Sequence, residues 1–168
     1  GKPPMTVSVN FSRSSLMEQD FVSRLTKVCE AYGVERRLME IELTETFHEP
    51  DGDHLKALIQ ALRQAGFLVS IDDFGTAYAN LSVLYTVEFD VLKLDKSLVD
   101  DIVHNAKARA IIESTVAACQ KMQIQVVAEG VETEEQLSAL RSCGVELVQG
   151  FLFSQPIPLD EYERKYLS

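Results

Sequence analysis

Cysteine is scarce in this chain, and its placement excludes two kinds of protein. Cys29, Cys119 and Cys143 lie far apart with no C-x-x-C pair. Neither a disulfide-stapled scaffold nor a cysteine zinc site is written here, and three reduced, buried thiols are expected. His48, His54 and His104 show no zinc-ligand spacing and read as surface residues. Positive charge is also in short supply: 16 Lys and Arg stand against 26 Asp and Glu, a net charge of −10 with no basic run. That excludes binding along a long nucleic acid, which needs clustered cations to displace counterions. A small anion held through metal ions remains compatible. No apolar stretch approaches a membrane span, so no membrane contact is expected from this segment, and no signal peptide opens the chain. The opening "GKPP" lacks an initiator Met and reads as a cut or a cleaved tag. No low-complexity segment or linker interrupts the 168 residues, so one domain is expected over 1–168.

What is present is alternation. Runs rich in β-formers, at 6–10, 39–45, 69–73, 89–95, 124–129 and 145–150, alternate with amphipathic helical stretches. Asp20 is expected to cap a helix whose inner face carries Phe21, Leu25, Val28 and Tyr32, with Gly33 as its stop. A helix over 53–66 turns Leu55, Leu58, Ile59 and Leu62 inward and stops at Gly66. Residues 81–86 read as a short helix. A long one over 105–121 carries Ile111, Ile112, Val116 and Cys119, Thr133 starts the penultimate helix, and a last helix begins near Leu159. Six strand-helix units in series imply a parallel sheet with helices outside it, either a barrel or an open doubly wound sheet.

Within the strands, Ile41 and Leu43 oppose Glu42 and Thr44, Val69 and Ile71 oppose Ser70 and Asp72, and Leu92 and Leu94 oppose Lys93 and Asp95. The apolar sides face helices, and the opposite face turns polar toward each strand's end. Those ends read Asn10, Glu42, Asp72 with Asp73, Lys93, Glu129 and Gln149. Singly, Asn10 and Glu129 are ordinary turn residues, Lys93 a solvated lysine and Gln149 a satisfied amide. Jointly they line the carboxyl ends of successive parallel strands, where barrel folds build their active sites. Adjacent carboxylates at a buried strand end raise each other's pKa unless a cation compensates. Carboxylates and an amide without histidine or thiolate suit Mg²⁺ or Mn²⁺. Asp72 and Asp73 could serve two ions, the apparatus for in-line displacement at phosphorus. Lys93 would add positive charge near the water or phosphate, and Glu129 could take a proton.

At these residues the chain resembles a known family. "VSVNFS", "IELTET", "SIDDFGTAYANLSVL", "DVLKLDKSLV", "VVAEGVET" and "VQGFLFSQPIP" are similar to the C-terminal two-thirds of the EAL family of cyclic-di-GMP phosphodiesterases. The resemblance runs from about residue 6 to the last helix. It implies a (β/α) TIM-type barrel, here with six of the expected eight strands, that linearises cyclic-di-GMP to pGpG with two Mg²⁺ or Mn²⁺ ions. By position it implies Asn10, Glu42 and Asp72 as metal ligands and Asp73 at the second metal. Lys93 would orient or activate the attacking water, and Glu129 would act on the second metal or as base. Gln149 would support Glu129, and Glu45 would anchor the loop after the double aspartate. It further implies a homodimer, upstream sensory or GGDEF-type domains, and a bacterial cytoplasmic setting, alone or as the cytoplasmic part of a larger membrane protein.

Two departures set the alternatives. The Glu-Ala-Leu tripeptide and the first two strands of the family are absent, leaving one metal site short of a donor and the isolated chain weak or inactive. The loop reads "DFGTAYANL" where the family has "DFGTGYSSL", which puts both aspartate positioning and dimerisation in question. A degenerate domain that binds cyclic-di-GMP or a protein without cutting is therefore the rival reading, with an unrelated metal-dependent barrel enzyme behind it.

Overall fold

The computed structural model describes residues 4–44, 52–76 and 82–167. Six parallel strands form one sheet in sequence order: β1 (Val7–Asn10), β2 (Met39–Thr44), β3 (Leu68–Phe74), β4 (Val91–Leu94), β5 (Gln125–Ala128) and β6 (Leu147–Val148). Between them run α1 (Arg13–Leu16), α2 (Phe21–Tyr32), α3 (Gly52–Gln64), α4 (Val83–Thr86), α5 (Lys96–Asp101), α6 (Ala106–Met122) and α7 (Glu134–Ser142), and α8 (Leu159–Tyr162) follows the last strand. Every strand pair is parallel and the strands follow sequence order without the reversal a doubly wound sheet requires, so the chain is an α/β half-barrel.

The core lies between the outer face of the sheet and the helices. Ile41, Leu43, Val69, Ile71, Leu92 and Leu94 are all buried there, as their alternation requires. α3 sets Leu58, Ile59 and Leu62 against them, α6 sets Ile112, Val116 and Cys119, and α7 sets Leu137 and Leu140. Cys29, Cys119 and Cys143 are free and buried, and burial pushes the Cys119 thiol up to about 11, so it stays protonated and inert. His54 and His104 are exposed, whereas His48 lies outside the described residues.

Several local expectations change. In α2 Phe21 and Cys29 are buried and Leu25 is half-buried, while Val28 and Tyr32 are exposed. α2 is the outermost long helix on the β1 side and packs beside α3, so only the flank turned toward α3 is covered. Ile111 is likewise exposed, one residue off the α6 stripe that holds Ala108, Ile112, Thr115 and Val116. Asp20 precedes α2 without a side-chain cap, although Gly33 ends it in the left-handed region as expected. Thr133 and Gln136 close a full capping box on α7. The last strand contracts to Leu147–Val148, since β6 has a neighbour only in β5.

Candidate active site

The double aspartate owes its geometry to a bulge. Ile71 pairs with Leu92 and Phe74 with Leu94, so three steps along β3 span two along β4. The extra residue is Asp73, which holds φ at 59°, a left-handed conformation that Asp tolerates better than most side chains. Its amide donates to Asp72 Oδ1 at 2.8 Å. A bulge suspends strict alternation, which is how two successive carboxylates avoid pointing to opposite faces. Asp72 is half-buried and Asp73 exposed.

Opposite the bulge stands Lys93, the third residue of β4 and 3% exposed. The solvated reading of this lysine is therefore overturned. Its ammonium is hydrogen-bonded to Glu42 of β2 and lies 2.9 Å from Glu129 Oε1 at the end of β5. Glu42 is itself buried. Burial alone would lower the lysine's pKa, but the hydrogen bonds to Glu42 and Glu129 outweigh it and hold it above its usual value. Lys93 thus stays charged. Glu129 extends the ladder through its amide, which donates to the Leu94 carbonyl at 3.0 Å.

Asp72 has the opposite problem. Desolvation by burial is the chief cause that raises its pKa to about 6; the charges of Glu129 and Asp73 add to it, and the amide of Asp73 and the charge of Lys93 pull the other way. A carboxylate desolvated among like charges is one that a divalent cation would relieve. Asn10 is the register partner of Glu42, and Asp72 lies two residues beyond Ser70, the partner of Glu42 on the other side. Asn10, Glu42 and Asp72 therefore end three adjacent strands. This hard-oxygen donor set, without nitrogen or sulfur, fits a hard divalent cation in kind. Among the described residues, however, no three His, Cys, Asp or Glu side chains are already gathered as a metal cluster. The cation that joins Glu42 and Glu129 here is Lys93.

The expected residues thus divide. Glu42, Lys93 and Glu129 are in direct contact, and Asp72 and Asp73 lie within electrostatic reach of them. Asn10 is adjacent by register but exposed. Gln149 is exposed too, and its main chain does the joining: its amide donates to Ala128 at 2.8 Å and its carbonyl accepts from Val131 at 3.0 Å. Glu45 and the loop residues 77–81 lie outside the described residues.

The strand-end reading missed a deeper polar layer. Ser8 Oγ donates to Glu40 Oε1 at 2.9 Å, Glu40 is buried, and Ser70 is fully buried with no hydrogen-bond partner for its hydroxyl among the described residues. The signal was available, since Glu40 and Ser70 each precede a site residue by two positions and so share its face. The sequence reading also passed over Lys96 and Glu132, whose side chains meet beside the Glu129 turn. A groove of about 670 Å³, lined by Arg63, Gly66, Phe67, Glu88 and Asp90 among others, lies at the amino ends of β3 and β4. Arg63 there is committed to Glu88 and Asp90, and Asp90 also accepts from the Val69 amide. That groove is structural and lies at the wrong end of the strands for the carboxylates.

Several known proteins are similar to this chain. The family model described as EAL domain matches residues 1–156. The chain is 38% identical over 169 residues to the cyclic di-GMP phosphodiesterase NbdA of Pseudomonas aeruginosa, covering 99% of this chain and 22% of that protein. It superimposes on the manganese and cy-diGMP complex of Klebsiella pneumoniae BlrP1 with a TM-score of 0.86 and 40% identity, covering 91% of this chain and 39% of that one. Against the EAL domain of Mycobacterium smegmatis DcpA the TM-score is 0.88 with 33% identity, covering 95% of this chain and 71% of that one. The chain therefore spans about a fifth of the length of the curated relatives it matches.

Proposed function

The chain belongs to the EAL domain family, and from that premise we propose that it carries the greater part of the catalytic rim of a metal-dependent cyclic-di-GMP phosphodiesterase. The observation that supports this most is the buried ammonium of Lys93 held between Glu42 and Glu129, beside the bulged Asp72-Asp73 pair. A permanent cation walled by carboxylates at the mouth of a parallel sheet is costly to build for stability alone. It is well placed to orient a water between an acceptor and a phosphate.

In this reading Asn10, Glu42 and Asp72 would hold one divalent ion and Asp73 would serve the second, with Glu129 acting either at that second ion or as base. The ions, Mg²⁺ or Mn²⁺, would supply Lewis acidity at the phosphoryl oxygens and a water of lowered pKa. Lys93 orients or activates the attacking water. Acting as base, Glu129 would accept that water's proton as the oxygen bonds to phosphorus. The bond from phosphorus to the ribose 3′ oxygen breaks, and that oxygen leaves as a hydroxyl after taking up a proton, giving linear pGpG. Gln149 supports the Glu129 turn through its main chain, and Glu45 anchors the loop after the aspartates.

Further features belong to the same proposal: a homodimer, a place in a longer protein with sensory or GGDEF-type domains, and work in the bacterial cytoplasm. The test is hydrolysis of cyclic-di-GMP with Mn²⁺ by the full-length protein that contains this chain, beside calorimetry in Ca²⁺. Turnover that is lost in Glu129→Gln supports the proposal. Binding in Ca²⁺ without turnover in Mn²⁺ would establish the rival receptor reading, which the Ala77 and Ala79-Asn80 departures favour.

A further inference from the structure

The turn that carries Glu129 is fastened from outside the rim, and one residue does most of the fastening. Gly130 follows Glu129 with φ at +68°, and a Cβ added there would stand 2.6 Å from Lys96 Cβ and 2.8 Å from its Cδ. The methylene stem of Lys96 therefore lies directly across the turn, and only glycine leaves it room. Beyond the stem, the Lys96 ammonium reaches both oxygens of Asp100, at 2.8 and 3.0 Å, and Glu132 Oε1 at 3.1 Å. Asp100 also accepts from Gln136 Nε2 at 3.2 Å, and Gln136 Oε1 takes the amides of Glu132 and Thr133 at 2.8 and 3.0 Å. The amides of Glu132 and Thr133 and the Glu132 carboxylate are thus tied back to α5 or α7.

The consequence reaches the rim through short covalent paths. Lys96 is three residues past Lys93, and Glu132 is three past Glu129. The Lys96–Glu132 contact closes a loop whose other contact is Lys93–Glu129 at 2.9 Å. Between them, Val131 donates to the Gln149 carbonyl and accepts from Leu152, so the same turn also holds the Gln149 turn.

We propose that Lys96 is a positioning residue: its stem and ammonium latch the 129–133 turn to α5 and thereby hold Glu129 against Lys93. The inference rests on the reading of Glu129 as part of the hydrolytic rim. It assigns a role to a basic residue whose ammonium is committed to Asp100 and Glu132.

The test compares Lys96→Met, which keeps the stem and removes the charge, with Lys96→Arg, which restores a cation. Amide hydrogen exchange of the chain reads the latch directly. In Lys96→Met the Val131 and Glu132 amides are expected to exchange about fivefold faster, the size of a half-exposed ion-pair network, with α3 and α6 unchanged. Mn²⁺ titration should give an affinity about tenfold weaker, as for loss of an outer-sphere orienting group. Turnover should fall about tenfold at unchanged KM, with Lys96→Arg recovering most of all three. Exchange and Mn²⁺ affinity both at wild-type values in Lys96→Met would overturn the proposal. So would faster exchange with Mn²⁺ affinity intact, since that marks a purely structural tie. Turnover is read in the full-length protein, where its absence counts against the hydrolytic reading alone, while exchange and Mn²⁺ titration still decide the latch.

Discussion

At the scale of single residues the site is governed by one buried cation. Lys93 is nearly enclosed and its ammonium is shared between Glu42, itself buried, and the more accessible Glu129. Removing one partner of such a pair costs far more than the pair contributes, because the remaining charge has nowhere to go. Lys93→Met is therefore expected to abolish hydrolysis and to destabilise the fold by about 3 kcal/mol in urea unfolding, and adding Glu42→Gln should recover more than half of that loss. A single mutant that unfolds at the wild-type midpoint would show that Glu42 is not relying on it. Ser70 is the contrasting case. Its hydroxyl is fully buried without a partner among the described residues, so Ser70→Ala is expected to leave stability unchanged or raise it by about 1 kcal/mol, read from the same urea midpoint. The strand-end carboxylates were legible because period-two alternation fixes which face a side chain takes. Alternation says nothing about depth, which is why Lys93 taken singly read as solvated, although the joint reading placed it in the site, and why Glu40 and Ser70, on the same face but lower, went unnoticed.

At the scale of elements, the positions of strands and helices followed from periodicity and the barrel order from the family resemblance, and the errors fell where an element lacks a neighbour. The α2 stripe was misjudged at Val28 and Tyr32 because helical spacing defines an apolar arc wider than the surface available to cover it. β6 was drawn too long because a strand paired on one side keeps only the residues its partner specifies. The bulge at Asp73 was invisible as such, yet the sequence carried its trace in two adjacent aspartates that plain alternation would have separated. Backbone approach was equally hidden. A Cβ added at Gly150 would lie 2.7 Å from the Val131 carbonyl carbon, so the turn after β6 can sit against the Glu129 turn only with glycine there. Gly150→Ala must push the two turns apart. It is expected to lower thermal stability and to weaken Mn²⁺ binding together, since Gln149 and Glu129 are moved by the same collision. Calorimetry on the variant checks this, and weakened stability with undiminished Mn²⁺ affinity would uncouple the two turns.

At the scale of the whole molecule, the sheet has two open sides. β1 pairs with β2 alone and β6 with β5 alone, and the exposed apolar residues Val7, Leu147, Phe151 and Phe153 belong to those sides. Parallel sheets are normally covered on both faces and closed at their margins, and an unpaired edge with apolar side chains is a template for another strand. The chain covers 71% of the DcpA EAL domain, so a complete domain of this family has further residues to lay against such margins. Alone, the chain has only itself. Its net charge of −10 opposes that association at low ionic strength, and screening at physiological salt, where the Debye length is about 8 Å, relaxes the opposition. Light scattering after size exclusion is therefore expected to show mass rising with concentration and with salt, and Val7→Lys, which plants a charge on the β1 margin, should return the chain toward monomer. A dimer that used the segment after the double aspartate instead would be indifferent to Val7→Lys. A monomer at every concentration and salt would mean that the two margins are shielded by the chain's own C-terminal segment, whose Tyr162 hydroxyl already reaches Met5 Sδ at 3.5 Å beside β1.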